Sequence, residues 1–182
     1  MTAAAHLLDT ARGQRPGTLR AVDSAGIDPG AFRNAMSHVC SPVTIVTTML
    51  DGTPHGTTVS AFSSLSLQPP LVVLSLSHTS ELLHAIRHKE AFGVNVLASG
   101  QAGLAERFAR KECDRFDTVA WDLADGEPRL SGSLVWLSCR TDQLVPAGDH
   151  TVVIGKVVAV DVAVGAPLVY FDRNFGTYAE SS

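Results

Sequence analysis

Apolar positions along this chain recur at two periods, and the shorter one dominates. Asp28-Pro29 opens the first patterned segment, since Asp suits an N-cap and Pro the first helical position. Phe32, Ala35, Met36 and Val39 follow at i, i+3, i+4 and i+7, the stripe of one helical face, and Pro42 closes it. From Val43 the pattern turns to strands. VTIVTTM (43–49) is β-branched, DGTPHG (51–56) is turn chemistry, and TTVSAF (57–62) predicts a returning strand. LVVLSLS (71–77), entered through Pro69-Pro70, and FGVNVL (92–97) predict two more. LVWLSCRTDQLV (134–145) and HTVVIGKVVAVDV (150–162) read as long strands joined by the turn PAGD, and PLVYF (167–171) as the last. Gly155 predicts a bulge or bend. Two short helices interrupt the strands: ELLHAIRHK, capped by Thr79 or Ser80, and one through LAERFAR (104–110), capped by Ser99.

About seven strands and three short helices do not alternate as a doubly wound fold requires, and so few helices cannot cover two sheet faces. Strands in series with tight turns predict a mainly β protein, a barrel with a few peripheral helices. Residues 1–27 carry no apolar period and read as a flexible N-terminal extension; residues 28–182 read as one domain.

Composition narrows the function. With 182 residues, 45% hydrophobic and 18% charged, the chain can bury a substantial core. A net charge of −4 gives no basic surplus for a run of phosphates, which argues against a nucleic-acid partner. No apolar run is long enough for a membrane helix, and Asp9 and Arg12 interrupt any signal-like segment. Cys40, Cys113 and Cys139 are odd in number and form no CxxC pair, so reduced, buried or half-buried thiols in a cytoplasmic protein are expected.

Familiar catalytic signatures are missing: no GxGxxG, no P-loop, no GxSxG elbow. Glu81, His84 and His88 share one face of a helix, but Arg87 and Lys89 make it a solvated amphipathic helix more readily than a metal site, and no metal is expected. Asp114, Arg115 and Asp117, and Asp122, Asp125 and Glu127 in WDLADGEP, read as solvated loop charges. His150 follows Gly148-Asp149 at a strand mouth, where a histidine either faces a cleft or serves as a cap or packing group.

Residues 56–80, GTTVSAFSSLSLQPPLVVLSLSHTS, carry ten hydroxyl side chains and no Asp, Glu, Lys or Arg. If 57–62 is one strand, Thr58, Ser60 and Phe62 face one side and Thr57, Val59 and Ala61 the other; Ser75 and Ser77 also share a side. Such a surface is either an exposed Thr/Ser-rich sheet face or a neutral, donor-rich wall for a polar aromatic ligand bearing a phosphate.

The ordered pieces FRNAM (32–36), VTIVTT (43–48), PHGTTVSAFSSLSLQPPLV (54–72), SLSHTS (75–80), FGVNVLASGQ (92–101), ERFARK (106–111), RFD (115–117), AGDHTVVIGKV (147–157) and PLVYFDRNFG (167–176) together resemble the flavin reductase family. The resemblance runs from Phe32 to Phe175, and is greatest to reductases of actinomycete aromatic polyketide pathways. It implies a Greek-key split β-barrel of the FMN-binding type and a homodimer with one flavin per barrel. It implies NAD(P)H-dependent reduction of FMN, with FAD the second choice and NADH preferred to NADPH, and delivery of reduced flavin to a separate monooxygenase. By the same resemblance, Gly56, Thr57, Thr58, Ser60 and Ala61 meet the isoalloxazine and ribityl chain; Ser75, Leu76, Ser77 and Ser80 approach the ribityl chain and phosphate. Arg107 and Phe108 come to the phosphate end. His150 is the catalytic residue beside the nicotinamide, with Arg173 and Phe175 near it. The chain departs from the family in having Pro42 where Gly is common, and Phe175 where Tyr is common, with Arg173 not immediately adjacent.

Hydride transfer between stacked rings needs positioning rather than a side-chain nucleophile, in keeping with the missing signatures. Two other readings compete: a split-barrel oxidase or quinone reductase that retains its flavin, and a noncatalytic flavin- or haem-binding module.

Overall fold

The computed structural model describes residues 26–110 and 114–178. The chain divides into two compact units, residues 1–35 and 36–182. The expected extension 1–27 lies almost wholly, and Cys113 wholly, outside the described residues; Cys139 is buried as expected, whereas Cys40 is exposed. Asp28 caps helix α1 (Pro29–Ser37) as expected, its carboxylate accepting a hydrogen bond from Ala31 N at 2.7 Å; the helix begins in the first unit.

The second unit is built on one seven-stranded antiparallel sheet. Its strands are β2 (Thr44–Leu50), β3 (Thr53–Val59), β4 (Phe62–Leu67), β5 (Pro70–Ser77), β6 (Ala91–Val96), β9 (Val135–Ala147) and β10 (His150–Val162), in the order β3-β2-β6-β9-β10-β5-β4. The sheet ends at β3 and β4, yet only Ser60 and Ala61 separate these in sequence. Its two edges are therefore brought together at that link, where Ser75 N donates to Ala61 O and Phe62 N to Ser60 O. The result is a barrel left open along one seam. A second sheet orders β1 (Ser41–Pro42), β11 (Leu168–Phe171) and β12 (Asn174–Thr177), and β7 (Trp121–Ala124) pairs with β8 (Glu127–Leu130) as a hairpin.

Helix α2 (Glu81–Lys89) starts at Ser80, whose Oγ accepts from Leu83 N, and buries Leu82, Leu83, Ala85 and Ile86. Leu82, Leu83 and Ile86 join Val46, Leu74, Leu76, Phe92, Val94 and Val153 in the first core. Helix α3 (Ala102–Ala109) contributes Ala105 and Phe108 to a second core with Val43, Ile45, Leu97, Leu130 and Leu168. Strand β2 feeds both cores from its two faces, which is why its side chains from Thr44 to Thr48 are all buried. Gly155 sits at a register shift, as expected, because a side chain there would run into the Phe92 ring.

Four expectations need correction. TTVSAF is not one strand: it breaks at Ser60-Ala61, so the inferred alternation does not carry from Val59 to Phe62. Ser99 does not cap α3; it lies in a 3-10 turn, Ser99–Gln101, where Gln101 Oε1 accepts from Ala98 N. The strands exceed the expected seven because WDLADGEP turns over at Asp125-Gly126, both at positive φ, to form β7-β8, while SSLSL and NFGT pair as short strands. Glu127 in that hairpin is 1% exposed rather than solvated, with Met49 N donating to its Oε2 at 3.0 Å. Its neighbour Asp122 is paired with Arg129 at 2.7 Å.

Candidate functional site

The seam between the sheet edges opens a cavity of about 410 Å³. Strand β3 brings Thr57 and Thr58 to it, the link brings Ser60 and Ala61, and the end of β5 brings Ser75, Leu76 and Ser77. Ser80 at the start of α2 and His150 at the start of β10 complete the predicted lining. His150 stands directly opposite Ser77 across the β5-β10 pair, so the register itself fixes the histidine beside the hydroxyl wall.

The hydroxyls divide by task. Thr58 Oγ1 donates to Ala105 O at 2.7 Å and Thr57 Oγ1 to Phe108 O at 3.3 Å, tying β3 to α3. Ser77 Oγ shares a hydrogen bond with Thr79 Oγ1, while the Ser60 and Ser75 hydroxyls have no partner among the described residues. These groups can donate to a ligand without bringing charge.

Not every predicted residue lines this cavity. Phe108 is fully buried, edge-on to Phe116 at 5.0 Å, and a Cβ on Gly56 would come within 2.9 Å of it. The glycine is thus required by close packing, and it lines a smaller neighbouring cavity of about 140 Å³. Arg107 turns to the following loop, donating from Nε to Arg115 O and from Nη2 to Asp114 O, both at 2.9 Å. Arg173 sits at positive φ between β11 and β12, and Phe175 packs on Tyr170 at 5.4 Å; neither lines the cleft.

The guanidinium that does reach the cleft belongs to Arg115, which sequence reasoning left among the loop charges. Its Nη1 donates to Gly56 O and its Nε to Arg110 O, each at 2.7 Å. Arg107 therefore braces the loop that presents Arg115. The available signal was the RFD tripeptide, within which Arg115 lies.

His150 is half-exposed, and its Nδ1 lies 2.7 Å from Asp149 Oδ1. The hydrogen bond and charge of His150 hold the Asp149 carboxyl below its usual range. Its Nε2 has no partner among the described residues, and is left for a ligand. Beyond Ser60, Ala61 and Ser75 a further cavity of about 420 Å³ is lined by Pro42, Phe62, Val73, Leu74 and Val152. A polar chamber and an apolar one thus share a wall, which suits a ligand with a flat apolar part and a polar tail.

Elsewhere on α2, the His84 and His88 rings lie tilted at 51° with centroids 4.3 Å apart, and His88 Nδ1 bonds His84 O. Among the described residues no helix is long and apolar enough to cross a membrane.

Residues 36–179 match the family described as flavin reductase like domain, and the chain belongs to that family of oxidoreductases. An NADH:FMN oxidoreductase of Rhodococcus qingshengii is 40% identical over 159 residues, covering 84% of this chain and 83% of that protein. The reductase component of a 4-hydroxyphenylacetate 3-monooxygenase from Thermus thermophilus is 39% identical over 146 residues, covering 80% and 93%. The NADH:FAD oxidoreductase of Streptomyces globisporus, solved with NAD and FAD fragments, superposes with a TM-score of 0.81 at 30% identity, covering 88% of this chain and 98% of that one. The open-seamed, mainly β architecture is accordingly that of the flavin reductases, as the sequence led us to expect.

Proposed function

We propose that this chain is an NAD(P)H-dependent flavin reductase that takes flavin, FMN in the first instance, as an exchangeable substrate and supplies the reduced form to a separate monooxygenase. The observation that carries this is the cleft itself: a wall of neutral hydroxyls with one guanidinium, one carboxylate and a histidine at its mouth, in a member of this family.

The residues present fit a flavin. Ser60, Ser75 and Ser77 offer donors to a ribityl chain, and the apolar shelf of Phe62, Leu74 and Val152 offers a surface for a flat ring. Arg115, together with the start of α2 at Ser80, suits a terminal phosphate. Bound flavin supplies the hydride acceptor and the electronics of the transfer. His150 is the positioning group for the nicotinamide, and Asp149 fixes its ring through Nδ1. In this assignment Arg107 and Phe108 support the site from behind, and Arg173 and Phe175 stand outside it.

Weak retention follows from the scarcity of charge. Micromolar binding corresponds to roughly 8 kcal/mol. Each charge-assisted hydrogen bond contributes about 1.5–3 kcal/mol. A phosphate held by several cations would pass that total quickly, and a product that must leave cannot be held so firmly.

The same proposal includes a cytoplasmic homodimer. Leu65 and Leu67 on β4 and Val158, Val160 and Val162 on β10 are exposed, Leu67 by 89% and Val162 by 67%, and a second copy would cover such surfaces. Sedimentation velocity reads the dimer directly.

Steady-state NADH oxidation with and without added FMN tests the activity. We expect turnover that requires and saturates with FMN. A yellow protein indifferent to added flavin would indicate the retaining oxidase, and absence of NADH oxidation the binding module.

A further inference from the structure

The charge-free stretch 56–80 ends on Glu81, the first residue of α2. Glu81 lines both the main cleft and the smaller cavity beside it, and Arg115 is the other charged residue lining both. The carboxylate is exposed and has no hydrogen-bond or ion-pair partner among the described residues. An acid in the first turn favours its own helix, because it complements the N-terminal dipole. The position has a second consequence. A ligand phosphate drawn to Arg115 and the start of α2 would approach the Glu81 carboxylate, and like charges repel.

Resting on the flavin reading, we propose that Glu81 is a specificity-determining residue that caps affinity for the phosphorylated ligand. Arg115 attracts the phosphate and Glu81 opposes it. The pair thereby sets a ceiling on retention and narrows the preference for FMN over riboflavin, which lacks the phosphate. Two features distinguish this from a purely structural role at the helix start. The effect depends on ligand charge, and it is screened by salt.

The test is Glu81→Gln, which keeps shape and removes charge, followed by fluorescence titration of wild type and variant with FMN and with riboflavin at low and high ionic strength. We expect FMN to bind several-fold tighter to E81Q at low salt, because the substitution removes the repulsion between the carboxylate and a phosphate dianion. Riboflavin affinity should stay constant and the FMN gain should shrink at high salt. An unchanged FMN-to-riboflavin ratio, or equal tightening of both, overturns the assignment. The two failures are separable: wild-type protein that binds neither flavin and oxidises no NADH defeats the flavin reading, whereas a normal reductase whose ratio ignores E81Q defeats only the role of Glu81.

Discussion

At the scale of single residues, we propose that recognition falls to Arg115 and positioning to His150. Arg115→Ala should weaken FMN binding by about ten- to a hundredfold, the loss of a charge-assisted contact of about 1.5–3 kcal/mol, while riboflavin changes much less. Parallel titrations check this, and equal losses for both flavins would mean that the Gly56 and Arg110 contacts of Arg115 only hold the loop. His150→Ala should slow flavin reduction by roughly ten- to a hundredfold and raise KM for NADH, with flavin affinity little changed. Stopped-flow reduction beside a binding titration separates the two effects. If flavin binding collapses while the remaining complex reduces normally, His150 belongs to the flavin site. The hydroxyl wall and His150 were legible as candidates because strand ends and turns carry local signals. Arg115 was not: its role depends on a loop braced by Arg107, and no period marks it.

At the scale of elements, helices and long strands were legible because each carries its own pattern, down to the Gly155 bulge. The β7-β8 hairpin was missed although Asp125-Gly126 is a strong turn signal, because its flanking strands are only four residues long and carry charges. The break at Ser60-Ala61 was missed for a different reason. It is imposed by closure of the sheet edges, a long-range event that leaves no local mark.

The hairpin also places Glu127 in the interior, where burial pushes the carboxyl up from its ordinary 4.5. A raised folded value means that the neutral form is favoured in the fold. The stability this contributes is fully present below the unfolded value and is lost as pH rises through the folded one. Glu127→Gln should therefore gain melting temperature relative to wild type as pH climbs from about 4.5 toward neutrality. Melting scans across that range check it, and a difference independent of pH would show that Glu127 does not titrate between the two states.

At the scale of the whole molecule, one fact organises the rest: the two ends of a seven-stranded sheet meet through two residues, and the cleft we propose as the site opens along that seam. Residues 1–27 have no packing face in sequence, and we propose that they form an extension dispensable for this architecture. Deleting them should leave folding and flavin reduction nearly intact, which circular dichroism and steady-state rates would register; aggregation or loss of activity would assign them a structural part.

We propose that flavin enters this seam, is reduced and leaves. Anaerobic mixing of the protein with about a tenfold excess of FMN and a larger excess of NADH, followed through the visible flavin absorbance, tests it most directly. Exchange of flavin predicts that all of the FMN is bleached over many turnovers. Bleaching that stops at one flavin per chain, or none at all, would contradict it.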